Sequence, residues 1–535
     1  MSKAELTSRS RAGTLARDGQ ICLLAIRRLA LSTSVAALAG LAGLAGAADD
    51  SPLPWRDDLS SVDRERVAKV LKITPASLAP FETMPAGKAT FAGSLDSNAF
   101  SHFTPSLSFE DEQRFKIGNG LFRKIWVSSP ASTQASDGLG PIFNARACQQ
   151  CHVKDGRGRP PLADEPMLSM LMKTVIRDGD GVRPDPEFGE QIQNFSVPGV
   201  PAEAETEISH SSHFVTINAG NGKTQQVELL KPAYKLRAPR DQASDGHIHD
   251  VDRILGPRVA PQMIGLGLLQ SIHAGDLEAL ADEDDVDGDG ISGRVHYLPQ
   301  PTVENQAPTG PLIGRFGWKA TTANIRQQSA DAFFNDMGLS TSLRPEAWGD
   351  CLPSQETCRS APHGVGAYGD IQEQFEVSDE ALDLVEFYSA NLAVPERRNA
   401  DDPEVLMGKQ QFHDAGCAAC HTPKFVTSRA AKQDDHQFQL IWPYTDLLLH
   451  DMGPELADGI AVGAASGREW RTAPLWGIGL TATVNGHTRY LHDGRARNLL
   501  EAILWHGGEA AASAEKVAAM SPEHRSALIK FVESL

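Results

Sequence analysis

The sequence of 535 residues predicts a mainly α fold, built from two related helical units with a region of β-strand inserted between their key motifs. Two observations predict the duplication. Cys148-Gln149-Gln150-Cys151-His152 and Cys417-Ala418-Ala419-Cys420-His421 repeat one C-x-x-C-H pattern, and each follows a glycine and a phenylalanine one helical turn apart, in Gly118-x-x-Leu121-Phe122 and in Gly408-x-x-x-Phe412. A third observation predicts the β insertion. Residues 213–217 and 225–230 gather apolar side chains around Asn218-Ala219-Gly220-Asn221-Gly222, the composition of a hairpin turn.

From the N-terminus, Arg27 and Arg28 precede an apolar run of small residues over 29–44, and Ala45-Gly46-Ala47 offers a cleavage pattern of small residues. The run is too short to span a bilayer, and Asp49 and Asp50 follow it. The expectation is a cleaved export signal over 1–47 and a periplasmic protein without stable membrane insertion; a core helix or membrane anchor is the competing reading. Residues 48–108, rich in Pro, Ser and Asp with one helical stretch near 62–71, read as a surface-wrapping extension. The first unit then occupies 109–393. It carries the insertion and two further helices, over 323–334, where Ile325, Ser329, Ala332 and Phe333 recur near one face, and over 377–391. The Pro- and charge-rich stretch 394–403 reads as the linker into a second unit, 394–535, whose last helix starts behind Ser521.

Composition narrows the partners. A net charge of -19 argues against nucleic acid and suits a basic electron-donor protein. Mean hydropathy of -0.29 is not that of an integral membrane protein. Of the seven cysteines, Cys22 leaves with the signal, four belong to the motifs, and Cys351 and Cys358 form a close pair expected to be a disulfide in an exported chain.

The repeated motif has a chemical reading. In one helical turn, residues three apart share a face, so both thiols of C-x-x-C reach the two vinyl groups of a porphyrin, and the adjacent histidine ligates its iron. A zinc knuckle would want a second cysteine pair nearby, and a redox dithiol would not require the histidine. Two copies behind an export signal give two covalently bound haem c, on Cys148, Cys151 and His152 and on Cys417, Cys420 and His421. Cytochrome c units are small helical bundles around haem, which is the ground for expecting a mainly α chain. Leu499, Ala502, Ile503 and His506 fall at i, i+3, i+4 and i+7 before Gly507-Gly508, so His506 ends an apolar helix face and is a candidate iron ligand for the second haem. A histidine serving the helix dipole is the alternative. Asp285-x-Asp287-x-Asp289-Gly290 begins like a calcium loop, but the twelfth position is His296 in place of glutamate, so a full EF-hand is excluded; a solvated acidic turn competes with a calcium site.

Several segments together resemble one family. Leu139-Gly140-Pro141-Ile142-Phe143-Asn144, the first haem motif, Asp155-Gly156-Arg157-Gly158, residues 446–453 and Tyr490-Leu491-His492-Asp493-Gly494-Arg495 look like the di-haem oxidoreductase, putative peroxidase family over residues 110 to 535. That family is similar to bacterial di-haem cytochrome c peroxidases and to the di-haem enzyme that matures methylamine dehydrogenase. The resemblance implies an inter-haem tryptophan, matched by Trp318 of Phe316-Gly317-Trp318, and a distal glutamine and acid, matched by Gln328 and by Asp336 of Asn335-Asp336-Met337-Gly338. It places His506 where the peroxidases carry a methionine, and Asp336 where they carry glutamate. It also implies calcium held between domains.

The expected function is therefore an exported di-haem c-type oxidoreductase of the peroxidase kind. It would reduce hydrogen peroxide, or use it to oxidise a partner, and receive electrons from a cytochrome or cupredoxin. Asp336 would move a proton between the peroxide oxygens, Gln328 would hydrogen-bond near the iron-bound oxygen, and Trp318 would share oxidising equivalents between the haems. His210, His213, His247, His249, His273 and His296 are candidates for a labile distal ligand of the first haem. An electron carrier with both haems fully ligated, and an oxidoreductase for thiol or sulfur compounds, are the competing functions.

Overall fold

Each C-x-x-C-H motif in the computed structural model follows a glycine-notched helix that crosses the last helix of its half. The Phe109–Phe122 helix starts behind Ser108, whose hydroxyl accepts from the Asp111 amide, and crosses the Asp379–Ala390 helix. A Cβ at Gly118 would overlap the Leu384 carbonyl oxygen, so only glycine permits the approach. In the second half, Asp402 caps the Pro403–Asp414 helix, Ser521 caps the Pro522–Ser534 helix, and a Cβ at Gly408 would overlap the Ala527 carbonyl oxygen at their crossing. Phe122 then lies 6.3 Å from His152 and 5.2 Å from Tyr388; Phe412 lies 6.3 Å from His421 and 5.2 Å from Phe531. The repeated glycine and phenylalanine are thus one packing device used twice.

The structure describes residues 52–163, 165–179, 181–239, 251–299, 312–368 and 371–535, which pack as one unit. The expected signal over 1–47, with Cys22, and His247 and His249 lie outside the described residues. Thirteen α-helices and nineteen strands are found among the described residues, 29% helix against 20% strand, so the fold is mixed rather than mainly α. The haem-unit argument accounts for the helices around each motif but not for the segment between them, which is largely sheet and loop.

That segment contains an antiparallel three-stranded sheet, with Met170–Asp178 between Gly181–Pro184 and Arg253–Val259. It also contains the long hairpin of Glu205–Gly220 and Lys223–Arg237, which turns at Asn221 and Gly222, both with positive φ. Ile217 and Leu229 on the hairpin are buried in a core with Trp442, Leu499 and Trp505 of the C-terminal half. The strands run well beyond the apolar stretches that predicted them, because their outer residues face solvent and carry no apolar signal.

The helices expected from periodicity are observed as Ser61–Val70, Ile325–Met337, Asp379–Ala390 and Pro522–Ser534. Cys351 and Cys358 form the expected disulfide, with Cα atoms 5.9 Å apart. Residues 52–108 do more than wrap the surface. Phe100 is buried with Ile264, Leu268 and Trp476, and the buried Glu82 carboxylate pairs with both Arg397 and Lys409. The start of the expected linker is likewise anchored, since Val394–Pro395 pairs in parallel with Thr90–Phe91 and both of its residues are buried. Among the described residues, no helix is long and apolar enough to cross a membrane.

Candidate functional site

Both C-x-x-C-H motifs line a single cavity of about 810 Å³. Cys148–Cys151 is one helical turn, and the Cys151 thiol contacts the Leu168 carbonyl oxygen at 2.9 Å. His152 Nδ1 lies 2.7 Å from the Pro261 carbonyl oxygen, an acceptor that fixes the proton on Nδ1 and leaves Nε2 free to ligate. At the second motif, His421 Nδ1 meets the Tyr444 carbonyl oxygen at 2.9 Å in the same way. Burial lowers the pKa of both histidines to about 4, so both are neutral imidazoles. The four motif cysteines are unpaired, and burial pushes the Cys148 and Cys417 thiols up to about 12.

His506 follows the Leu499–Leu504 helix, which Asn498 caps. Its Nδ1 lies 2.7 Å from the Ala502 carbonyl oxygen, so it too offers Nε2 to the cavity it lines, and it is close enough to His421 to lower that residue's pKa. The three histidines expected to ligate therefore share one tautomer-fixing arrangement.

Asp336 sits near the end of the Ile325–Met337 helix and lines the cavity. Burial raises its carboxyl to about 6, against a 2.9 Å hydrogen bond from Gln191 Nε2 and the charge of Lys173. It is close enough to Cys148 and Cys151 to push both thiol pKa values up. Gln328 also lines the cavity, with Oε1 accepting from the Thr322 hydroxyl at 2.8 Å. Trp318 donates from Nε1 to the Val259 carbonyl at 2.8 Å, and its ring stands edge-on to His492 at 6.4 Å. His492 in turn stacks on Trp470 at 3.8 Å. Arg258 lies 4.5 Å and Lys319 Nζ 4.4 Å from the Trp470 ring centre.

Sequence reasoning missed a ring of buried cations. Arg157, Arg315 and Arg471 line the cavity, and burial lowers each to about 10. Arg157 Nε and Arg315 Nη1 have no hydrogen-bond partner among the described residues. The only sequence signal was Arg157 within Asp155-Gly156-Arg157-Gly158. Also missed was His450, whose Nε2 lies 2.9 Å from Asp446, whose Nδ1 lies 2.7 Å from Glu509, and which sits 3.6 Å from Cys420 Sγ. Burial opposes its charge, but the carboxylates raise its pKa well above the ordinary value.

The acidic loop closes differently from its sequence pattern. Ligand atoms of Asp282, Asp285 and Asp287 lie within 4.8 Å of one another, while Asp289 accepts from the Ile291 amide at 2.8 Å. Of the distal candidates, His210 and His213 are exposed on the hairpin, His273 caps a short helix, and His296 bonds the Lys319 carbonyl; none of these four lines the cavity. The hairpin leaves its histidines exposed, and His450 and His492, both outside the insertion, line the cavity instead.

No curated protein matches the chain. The family described as di-haem oxidoreductase, putative peroxidase matches residues 82–172 and 184–535. On a match of that extent, covering both motifs and most of the cavity lining, the chain belongs to the di-haem oxidoreductase, putative peroxidase family.

Proposed function

We propose that this protein is an exported di-haem c-type oxidoreductase that reduces hydrogen peroxide, or uses it to oxidise a partner, with electrons from a small redox protein. Family membership implies the two haems, and the cavity residues fit them. Four unpaired cysteines at C-x-x-C spacing would take the vinyl groups, three histidines offer a free Nε2, and Arg157, Arg315 and Arg471 supply buried positive charge that the haem carboxylates would neutralise. Haem c supplies an iron that binds peroxide and exchanges electrons at the first motif, and an electron-transfer iron at the second.

The observation that carries this reading is the asymmetry of the cavity: a carboxyl, Asp336, near Cys148 and Cys151, and an imidazole, His506, near His421. Asp336 takes the proton from one peroxide oxygen and returns it to the other, so that water leaves as the O–O bond breaks. Gln328 orients the peroxide by hydrogen bonding, and Trp318 carries oxidising equivalents between the halves. His506 in place of a thioether favours the oxidised state of the second haem. The halves are 109–393, peroxidatic, and 394–535, electron-transferring, and the mature periplasmic chain starts near residue 48.

Low-temperature EPR of the holoprotein tests this. One high-spin signal that disappears with cyanide, and a changed spectrum after peroxide, are expected. Two low-spin haems indifferent to peroxide would overturn the reading in favour of an electron carrier. Mass spectrometry of the mature protein should find two porphyrin increments.

A further inference from the structure

A second acid stands behind Asp336. The segment 190–193 runs beside the Met170–Asp178 strand, with the Ile192 amide bonded to the Met172 carbonyl. Gln191 and Gln193, two apart in an extended stretch, thus share one face. Gln191 holds Asp336, and Gln193 donates to the Asn335 carbonyl at 2.8 Å while its side chain lies close enough to Asp350 to favour that residue's carboxylate. The Gln193 amide donates at 2.8 Å to Glu203, whose other oxygen accepts from Gln355 at 2.7 Å. Asp350 directly precedes disulfide-bonded Cys351, and Gln355 lies inside the loop which that disulfide closes, so one cross-linked loop positions both carboxyls.

The side-chain carbonyl oxygens of Gln191 and Gln193 are buried and accept no hydrogen bond among the described residues. Buried acceptors call for donors, and a protonated carboxyl is one that this cluster can supply. Burial raises Asp350 to about 6 and Glu203 to about 8. The charges facing these groups are Lys173, Glu190 and Asp336 around Asp350, Asp185 and Asp350 around Glu203, and Lys173 and Asp331 around Asp336.

We propose that Asp350 is the proton donor that recharges Asp336 during turnover, with Glu203 the next carboxyl in line, an inference that rests on the peroxidase reading above. Reducing one peroxide to two waters consumes two electrons, from the redox donor, and two protons. Asp336 only shuttles a proton that peroxide already carries. The two further protons enter as an O–H bond breaks at Asp350 and one forms at Asp336, and Glu203 then returns a proton to the Asp350 carboxylate from solvent. Asp336 must begin as a base and Asp350 as an acid, so turnover has a bell-shaped pH profile whose acid limb belongs to Asp336 and whose alkaline limb belongs to Asp350 and Glu203.

The test uses holoprotein with hydrogen peroxide and an ascorbate-reduced mediator, across pH, with Asp350→Asn, Asp350→Glu and Glu203→Gln. Expected for Asp350→Asn are a kcat roughly tenfold lower or more, an unchanged KM for peroxide and loss of the alkaline limb, with Asp350→Glu restoring it. Infrared spectra of the resting protein should lose one protonated-carboxyl band that titrates near pH 6 in wild type. An alkaline limb that survives Asp350→Asn, or protonated-carboxyl absorption near pH 6 (to which Asp336 also contributes) that does not diminish in the variant, overturns the proposal, even where turnover is slow. Wild-type protein that consumes no peroxide rejects the peroxidase reading itself; the infrared band still reports whether Asp350 is a protonated acid. Glu203→Gln should slow turnover while sparing that band, which separates proton supply from damage to the loop.

Discussion

His492 lies flat against Trp470, ring centres 3.8 Å apart and planes 14° from parallel, and presents its edge to Trp318 at 6.4 Å. Three aromatic rings thus run in contact through the wall of the cavity that both C-x-x-C-H motifs share. Arg258 and Lys319 stand within 4.5 Å of the Trp470 ring centre, whereas Trp318 has Arg157 at 5.8 Å, so removing an electron costs more at Trp470 and Trp318 is the favoured carrier of an oxidising equivalent.

Replacing Trp318 by Phe should therefore uncouple the two haems. Rapid-mixing spectra after peroxide addition should record oxidation at the first haem, with the second unchanged on the same timescale. Equal oxidation of both haems in the variant would reject the bridging role.

Asp336→Asn should slow the reaction with peroxide by about 10²- to 10⁴-fold, the usual contribution of a positioned acid-base group. The carboxyl is raised to about 6, so its base form is present above that pH and is lost below it. Wild-type reactivity should fall as pH drops through about 6, and the variant should lack this limb. Stopped-flow rates between pH 5 and 8 decide it.

His506→Met should raise the reduction potential of the second haem, because a thioether favours ferrous iron relative to imidazole. Redox titration followed by absorbance should resolve one haem shifted upward and one unmoved. No shift would remove His506 from the iron.

Two helix glycines should respond in opposite directions. At Gly408 a methyl group would meet the Ala527 backbone, which cannot move without separating the helices, so Gly408→Ala should cost about 1–3 kcal/mol, outweighing its helix-propensity gain. Nothing lies within 4 Å of the same position at Gly120, so Gly120→Ala should stabilise by about 0.5–1 kcal/mol. Chemical denaturation of the two holoprotein variants measures both.

What the sequence revealed was whatever is written locally. The C-x-x-C-H motifs, the cap at Ser521, the Asn221-Gly222 turn and the Cys351–Cys358 pair each depend on residues a few positions apart, and all are found. His506 was legible as the end of an apolar helix face, and it lines the cavity. The balance of helix and strand was not legible, since in the long segment between the motifs only the hairpin was read as strand, and the sheet of Met170–Asp178, Gly181–Pro184 and Arg253–Val259 was not. Nor were Arg315, Arg471 and His450, whose meaning lies in partners brought from elsewhere in the chain: Arg315 reaches the Ile272 carbonyl, and His450 is clasped by Glu509. In the acidic loop, spacing named Asp289 as a ligand while backbone geometry turned it to its own Ile291 amide and brought in Asp282.

The guanidinium groups of Arg157, Arg315 and Arg471 bear on how the molecule is made. Enclosing three like charges around a hollow is strongly unfavourable unless anions arrive with them. If, as proposed, the chain is exported and binds haem c, the translocated polypeptide without its pigments should therefore stay open and hydrated, keeping its thiols within reach of the ligation apparatus. Cofactor attachment and final collapse then become one event, and a strain defective in cytochrome assembly should accumulate a protease-sensitive chain.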